Sequence, residues 1–344
     1  MTVTVGRDST EVVVAAQWNR VLGRFPASID DNFFENGGNS LKAARLAGGL
    51  RKAVGRDVPL HVIFDLPTVR AQSDWLRTRR AGGADAVMTL KPNGGGAPLV
   101  LLPGGGGSLV GLGAFADARF DRPVHGLHAR GLAAGEVPAT GMAELSGEFA
   151  AMLDADGLPR RIHLAGYCSG GVFAYDLASV LARSGWEVLS VTLLNSTLAV
   201  PDVPHEEIVL QRLRQLAGSA GTAFGAGAGP ATADELFLQL RTSGQDLLEQ
   251  DSAAFRRRLD VHAALWRVIA DYRPRSTTIP VALFSLPGRF DRDLAEAVGA
   301  SDWDELGLAD FRQIDVADPG MPLVAHEPTL DAVEAWLRDV EGRP

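Results

Sequence analysis

Residues 163–174 read HLAGYCSGGVFA, and the chain's single cysteine, Cys168, stands at their centre. Gly166, Tyr167, Cys168, Ser169 and Gly170 fit the pattern of a nucleophile elbow, with sulfur where oxygen is usual. The elbow needs a strand before it and a helix after it, and the residues at 161–165 and 171–183 supply both patterns. Glycines at 166 and 170 admit the strained turn and close strand–helix packing. The chemistry of such a site is acyl transfer through a thiolate. A lone cysteine outside an elbow reads as a small, inert core residue. Ser169 is the rival nucleophile, but its frame would put Tyr167 where a small residue is needed. The backbone N–H of Ser169 is instead expected to form half of an oxyanion hole. The other half should follow the first strand of the same domain, where LLPGGGGSLVG places Pro103 and then Gly104 to Gly107, with Gly104 the expected donor. Taken alone, this loop also suits a turn or a phosphate cradle. It lacks the Lys-Ser/Thr ending of a P-loop, which disfavours nucleotide binding.

A second candidate lies near the N-terminus. In DDNFFENGGNSLKAARLA, residues 30–47, Ser40 follows Gly37, Gly38 and Asn39 and precedes an apolar helical pattern. On helix logic alone Ser40 is an N-cap and needs no other role.

The elements that must position these residues fall into three parts. Residues 8–78 carry helical periodicity in EVVVAAQWNRVLG, SLKAARLAGGLRKAVG and TVRAQSDWLRTR, which predicts a bundle of three or four helices with a long first loop. Residues 79–97, rich in Gly, Ala and Pro, read as a linker. From residue 98 to 344, short apolar runs (PLVLLP, PVHGLHA, RIHLAG, VLSVTLLN, PVALFSL, FRQIDVA) alternate with helical stretches such as 142–154, 170–184 and 328–340. That alternation predicts an α/β domain with a mainly parallel sheet and helices on both faces. The interval 201–275 breaks the alternation and reads as a helical lid.

Composition narrows the function. The chain has 344 residues, 46% of them apolar, enough for two globular domains. Net charge is −9 with no Lys/Arg block, which argues against nucleic acid or an anionic membrane as partner. One cysteine makes no internal disulfide, and no metal-ligand spacing is present. No run approaches a membrane span and no signal peptide is expected at MTVTVGRDSTE, so a reducing cytoplasm fits.

With Asp31, Phe33, Phe34, Gly37, Gly38, Ser40 and Leu41 in place, and with WNRVLG and LHVIFDLPTVRAQSDWL flanking them, residues 8–78 resemble the peptidyl carrier domain of nonribosomal peptide synthetases. The resemblance implies that Ser40 carries a 4′-phosphopantetheine arm, attached by a separate phosphopantetheinyl transferase. Asn39 stands where the family often has Asp or His. A phosphodiester at that helix start would sit near the positive end of the helix dipole. Residues 87–342 look like the thioesterase domain that ends many such synthetases, an α/β-hydrolase fold, through TLKPNGGGAPLVLLPGGGGS, VHGLHARGL, HLAGYCSGGVFAYDLA, ADYRP and HEPTLDAVEAWL. The order carrier then thioesterase is the family's usual ending. It implies upstream condensation and adenylation domains as partners.

Two departures from the family stand out. The acid usual after the strand that follows the elbow strand is replaced by Asn195, in VTLLNSTLAVP. The usual place of the His, counted back from EPTLDAVEAWL, is taken by Met321, and His326 lies five residues further on. A thiol still needs a base. His326 is the leading candidate, since a modest loop shift would bring it to the elbow. His262, on the helix leaving the lid, is the alternative. His163 reads as a satisfied core residue, His125 and His128 as strand-end residues open to either reading, while His61 belongs to the N-terminal helices and His205 opens the lid. A neutral amide orients the imidazole in Cys-His-Asn enzymes, so Asn195 would suffice for a thiol. Asp291, in LPGRFDRD after the next strand, sits where ordinary α/β hydrolases often carry their acid; the competing reading is a solvated loop charge.

Sulfur at the apex changes the energetics. Transfer from one thioester to another is nearly isoenergetic, so the acyl group stays activated for attack by an internal amine or hydroxyl. Cys168 therefore leads to the expectation of release by cyclisation or aminolysis. The alternatives are hydrolysis to a linear acid, a catalytically lost thioesterase serving as an interaction module, and a proofreading hydrolase, against which the fused carrier argues.

Overall fold

The computed structural model describes residues 9–54, 58, 60–78, 87–109, 112–116, 119–132, 135–198, 200, 203–219, 232–233, 235–236, 252–286, 303–317 and 323–343. The chain divides into two compact units, 1–85 with 213–256 and 86–212 with 257–344.

The described residues between 9 and 78 are mainly helical. Helices α1 (Ser9–Leu22), α2 (Ser40–Val54), α3 (Leu60–Asp65) and α4 (Val69–Thr78) surround Trp18, which is fully buried. Its indole N–H donates to Gln72 Oε1 at 2.9 Å, and Gln72 in turn donates to the Leu66 carbonyl. Phe33 meets Trp18 edge-on with ring centroids 5.1 Å apart, and Phe34 stacks on Phe64 at 5.2 Å. The first loop is thus anchored by aromatics, which bury large areas in fixed geometry. Asp31 ties it locally, accepting from the backbone N–H of Ala27 and Ser28.

The second unit holds a seven-stranded sheet among the described residues, in the order β1-β3-β2-β4-β5-β6-β7. The strands are β1 (Val87–Lys91), β2 (Leu99–Leu102), β3 (Val124–Leu127), β4 (Arg161–Tyr167), β5 (Glu187–Leu194), β6 (Val281–Ser285) and β7 (Phe311–Asp315). All pair in parallel except β1, which runs antiparallel to β3. The β1 strand lies inside the stretch expected as linker. Gly and Pro on its flanks hide a short β run whose first two residues are buried.

Helices α5 (Met142–Asp156), α6 (Ser169–Arg183) and α9 (Glu327–Glu341) follow the predicted alternation, joined by α7 (His205–Ser219) and α8 (Ser252–Ala270) from the insertion. Side chains alternate across a strand. Val100, Leu102, Ile162, Leu164, Val191 and Leu193 therefore share one face, packed with Leu145, Phe149, Phe173, Leu177 and Val261. The opposite face carries Leu99, Leu101, His163 and Ala165, all fully buried, and α9 packs against β5. The interval 201–275 was expected as a lid, yet Val261, Leu265, Val268 and Ile269 of α8 belong to the same buried cluster as the sheet. This end of the interval is core, because the apolar positions of α8 face the strands. Among the described residues, no helix is long and apolar enough to cross a membrane.

A buried ion-pair network fastens α9. Arg122, 1% exposed, pairs with Glu334 at 2.9 Å and Glu341 at 2.8 Å. Glu341 also accepts from the Ala97 N–H and lies 3.2 Å from His163 Nε2. Burial would raise the Glu341 carboxyl, but Arg122 and the Ala97 N–H hold it below its usual range. His163 is the satisfied core residue expected, with Nδ1 at 2.8 Å from Ser190 Oγ. Burial, reinforced by the Arg122 charge, pushes its pKa down to about 4. His125, also buried, lies 3.2 Å from Thr89 Oγ1, and burial lowers it.

Candidate active site

Cys168 sits between β4 and α6 with φ 53 and ψ −124 and is exposed. A non-glycine residue in this region is strained, and strain of that kind persists only where the surroundings over-determine it. Here they do. The Cys168 N–H donates to the Leu194 carbonyl at 2.8 Å, and the Gly171 N–H donates to the Cys168 carbonyl at 3.1 Å. A Cβ on Gly166 would lie 2.1 Å from Gly170 main chain, and one on Gly170 would lie 2.8 Å from the Leu102 carbonyl oxygen. One on Gly171 would lie 2.0 Å from Ser196 Oγ. The turn is closed by main-chain approach that only glycine permits.

Helix α6 begins at Ser169, so the Ser169 N–H is among the first-turn donors that have no intrahelical partner. Ser169 Oγ lies 3.9 Å from Cys168 Sγ. The loop after β2 passes over the elbow. A Cβ on Gly104 would lie 3.8 Å from the Tyr167 carbonyl oxygen. The Gly107 N–H donates to the Gly104 carbonyl at 2.8 Å, which closes the turn. A Cβ on Gly105 would stand 3.2 Å from both Ser169 Oγ and His262 Nδ1. His262 Nδ1 is 2.9 Å from the Gly105 carbonyl oxygen. A carbonyl only accepts, so Nδ1 carries the proton and, in the neutral ring, Nε2 is the basic nitrogen.

The structure therefore sets Ser169 and His262 on the same side of Gly105, with Cys168 beside Ser169 and Gly104 over the Tyr167 carbonyl. His326 caps α9, and its Nδ1 meets Thr329 Oγ1 at 2.8 Å. Among the described residues no hydrogen bond joins His326 to the elbow. Asn195 follows β5 with φ 47 and is buried; its N–H donates to the Phe284 carbonyl and its Oδ1 accepts from the Leu286 N–H at 3.4 Å. The amide thereby ties together the ends of β5 and β6. Asp291 and Met321 lie outside the described residues. The contact between His262 and Gly105 was not legible in the sequence: α8 reads as lid, and nothing in its periodicity says which loop it meets.

In the helical unit, Asn39 caps α2. Its Oδ1 accepts from the Lys42 N–H at 2.9 Å, and its carbonyl accepts from the Ala43 N–H at 2.8 Å. The cap expected at Ser40 is therefore one residue earlier, and Ser40 is the first helical residue. A Cβ on Gly38 would stand 2.4 Å from the Phe33 ring, and Gly37 has φ 88, so this approach requires both glycines. The first turn of α2 holds no acidic residue. An anionic group attached at its start would meet the helix dipole with no opposing charge in that turn, which fits a phosphodiester.

Comparison with known proteins accords with both halves. The family described as Phosphopantetheine attachment site matches residues 12–76, and that described as Thioesterase domain matches residues 97–313. Indigoidine synthase of Dickeya dadantii is 32% identical over 194 residues, 56% of this chain and 13% of that protein. The dimodular nonribosomal peptide synthase of Bacillus subtilis is 25% identical over 294 residues, 83% of this chain and 12% of that protein. The chain thus spans about an eighth of the length of these two relatives. Among solved structures, holo-AB3403, a four-domain nonribosomal peptide synthetase, matches with a TM-score of 0.62 at 22% identity, over 98% of this chain and 26% of that one, a likeness of fold.

Proposed function

Since the chain belongs to the thioesterase domain family and sets a phosphopantetheine-bearing carrier domain before it, we propose that it releases an acyl or peptidyl product of a nonribosomal peptide synthetase through Cys168. The observation that carries this reading is the thiol at the apex of a glycine-closed elbow. The arm, attached at Ser40 by a phosphopantetheinyl transferase, supplies a thiol that presents the acyl chain as a thioester. Upstream condensation and adenylation domains supply that chain.

The Cys168 thiolate attacks the acyl carbonyl. The N–H groups of Ser169 and Gly104 stabilise the oxyanion, and the thioester C–S bond breaks as the C–S bond to Cys168 forms. The acyl-cysteine remains activated, so an internal amine closes on it and Cys168 leaves. This favours cyclisation or aminolysis over hydrolysis. The test loads the chain with a peptidyl group bearing an internal amine and weighs the freed product. A ring is expected. A linear acid as the sole product overturns the cyclising reading and leaves hydrolytic release in its place.

A further inference from the structure

We propose that the base serving Cys168 is His262, delivered by α8, with its Nδ1–H held by the Gly105 carbonyl. This rests on the reading of Cys168 as the nucleophile.

The seat for His262 is built by glycine. Gly107 has φ +75, and a Cβ there would stand 2.6 Å from Val261 Cγ1. Gly131 has φ +108, and its Cβ would stand 2.8 Å from Val261 Cγ2. The Ala129 N–H donates to the Gly107 carbonyl at 2.9 Å, which locks the two loops together. Val261 fills the notch they make and is fully buried, as are Ala263 and Leu265 beyond it. The adjacent residue, His262, is thereby held against Gly105, where a single Cβ would meet both His262 Nδ1 and Ser169 Oγ at 3.2 Å. Side chains fixed by packing lose little entropy when they act, and catalytic geometry built on a helix is more exact than that built on a loop.

The hydrogen bond to Gly105 fixes the tautomer. With Nδ1–H donated to the carbonyl, Nε2 takes the thiol proton as sulfur attacks. The same proton goes to the departing thiolate when the incoming thioester breaks. In the second half-reaction Nε2 takes a proton from the attacking amine and returns it to Cys168 sulfur as the product leaves. The arrangement also accounts for Asn195, whose amide is engaged with the β6 main chain rather than required as the orienting acid.

The test uses the holo chain at pH 7. Alkylation of Cys168 by iodoacetamide is followed by the mass of the peptide that carries it, beside release of a loaded acyl group. His262→Gln keeps an N–H for Gly105 but holds no base, so release should fall by at least about a hundredfold and alkylation should slow with it. Added imidazole should restore part of the release lost in His262→Ala. His262→Gln at native rates, or a defect confined to His326→Gln, overturns the assignment of the base and leaves release through Cys168 standing. Equal release from the native chain and Cys168→Ala overturns the nucleophile, and the base with it.

Discussion

Gly166 and Gly170 meet across the elbow so closely that a Cβ on the first would stand 2.1 Å from the main-chain carbonyl of the second. Main chain cannot step aside as a flexible side chain can. Gly166→Ala should therefore destabilise the thioesterase domain by about 3 kcal/mol or more, at the upper end of overpacking costs. Denaturant unfolding checks this; a loss below about 1 kcal/mol would mean that the elbow relaxes.

Cys168→Ser tests what sulfur contributes. An oxygen nucleophile needs stronger activation, and the ester it forms is a poorer acyl donor. Release to an internal amine should slow by at least about tenfold, some 1.4 kcal/mol of barrier. Any residual product should shift toward the linear acid. Product masses from the two proteins, loaded identically, give the comparison.

The α2 start separates a cap from an attachment site. Asn39→Ala removes the acceptor for the Lys42 N–H and should lower carrier-domain stability by about 1 kcal/mol while modification by a phosphopantetheinyl transferase persists. Ser40→Ala should abolish that modification. Intact mass after incubation with transferase and coenzyme A distinguishes the two variants.

His163 makes stability depend on pH. Its folded pKa, about 4, lies below the ordinary value of 6.5, so between these limits the unfolded chain binds a proton that the folded one does not. Stability should fall by about 3 kcal/mol as pH drops from about 6.5 to about 4. His163→Gln should flatten that part of the profile.

Arg122 is nearly inaccessible and serves both Glu334 and Glu341, so its removal takes a buried guanidinium from two carboxylates, of which Glu334 keeps Arg338 at 2.8 Å. Arg122→Ala should cost about 3–5 kcal/mol, whereas Arg122→Met with Glu334→Leu should cost less, Glu341 then being the one partner of Arg122 that keeps its charge. Thermal unfolding of the single and double variants measures the difference.

Much of this architecture was legible beforehand. Each of the six apolar runs became a parallel-paired strand, because short β-branched runs bounded by turn residues have few other ways to be buried. The elbow was legible for the same local reason: its glycines, nucleophile and flanking elements are contiguous. The edge strand Val87–Lys91 was not, since its pairing with β3 is decided across 32 or more residues of chain. The cap at Asn39 was misassigned to Ser40 because both residues are good caps and only the hydrogen bond to Lys42 chooses between them. The seat of His262 was least legible. It depends on Gly107 and Gly131 leaving room for Val261, a fit between segments more than 120 residues apart.

The central claim is that an acyl chain held at Ser40 leaves through Cys168, and one measurement addresses it most directly. The holo chain and its Cys168→Ala variant are loaded with the same peptidyl group and followed by intact mass. Loss of the acyl mass from the native chain, with persistence in the variant, is the result predicted. Equal loss from both, or equal persistence in both across a series of peptidyl chains, would contradict it.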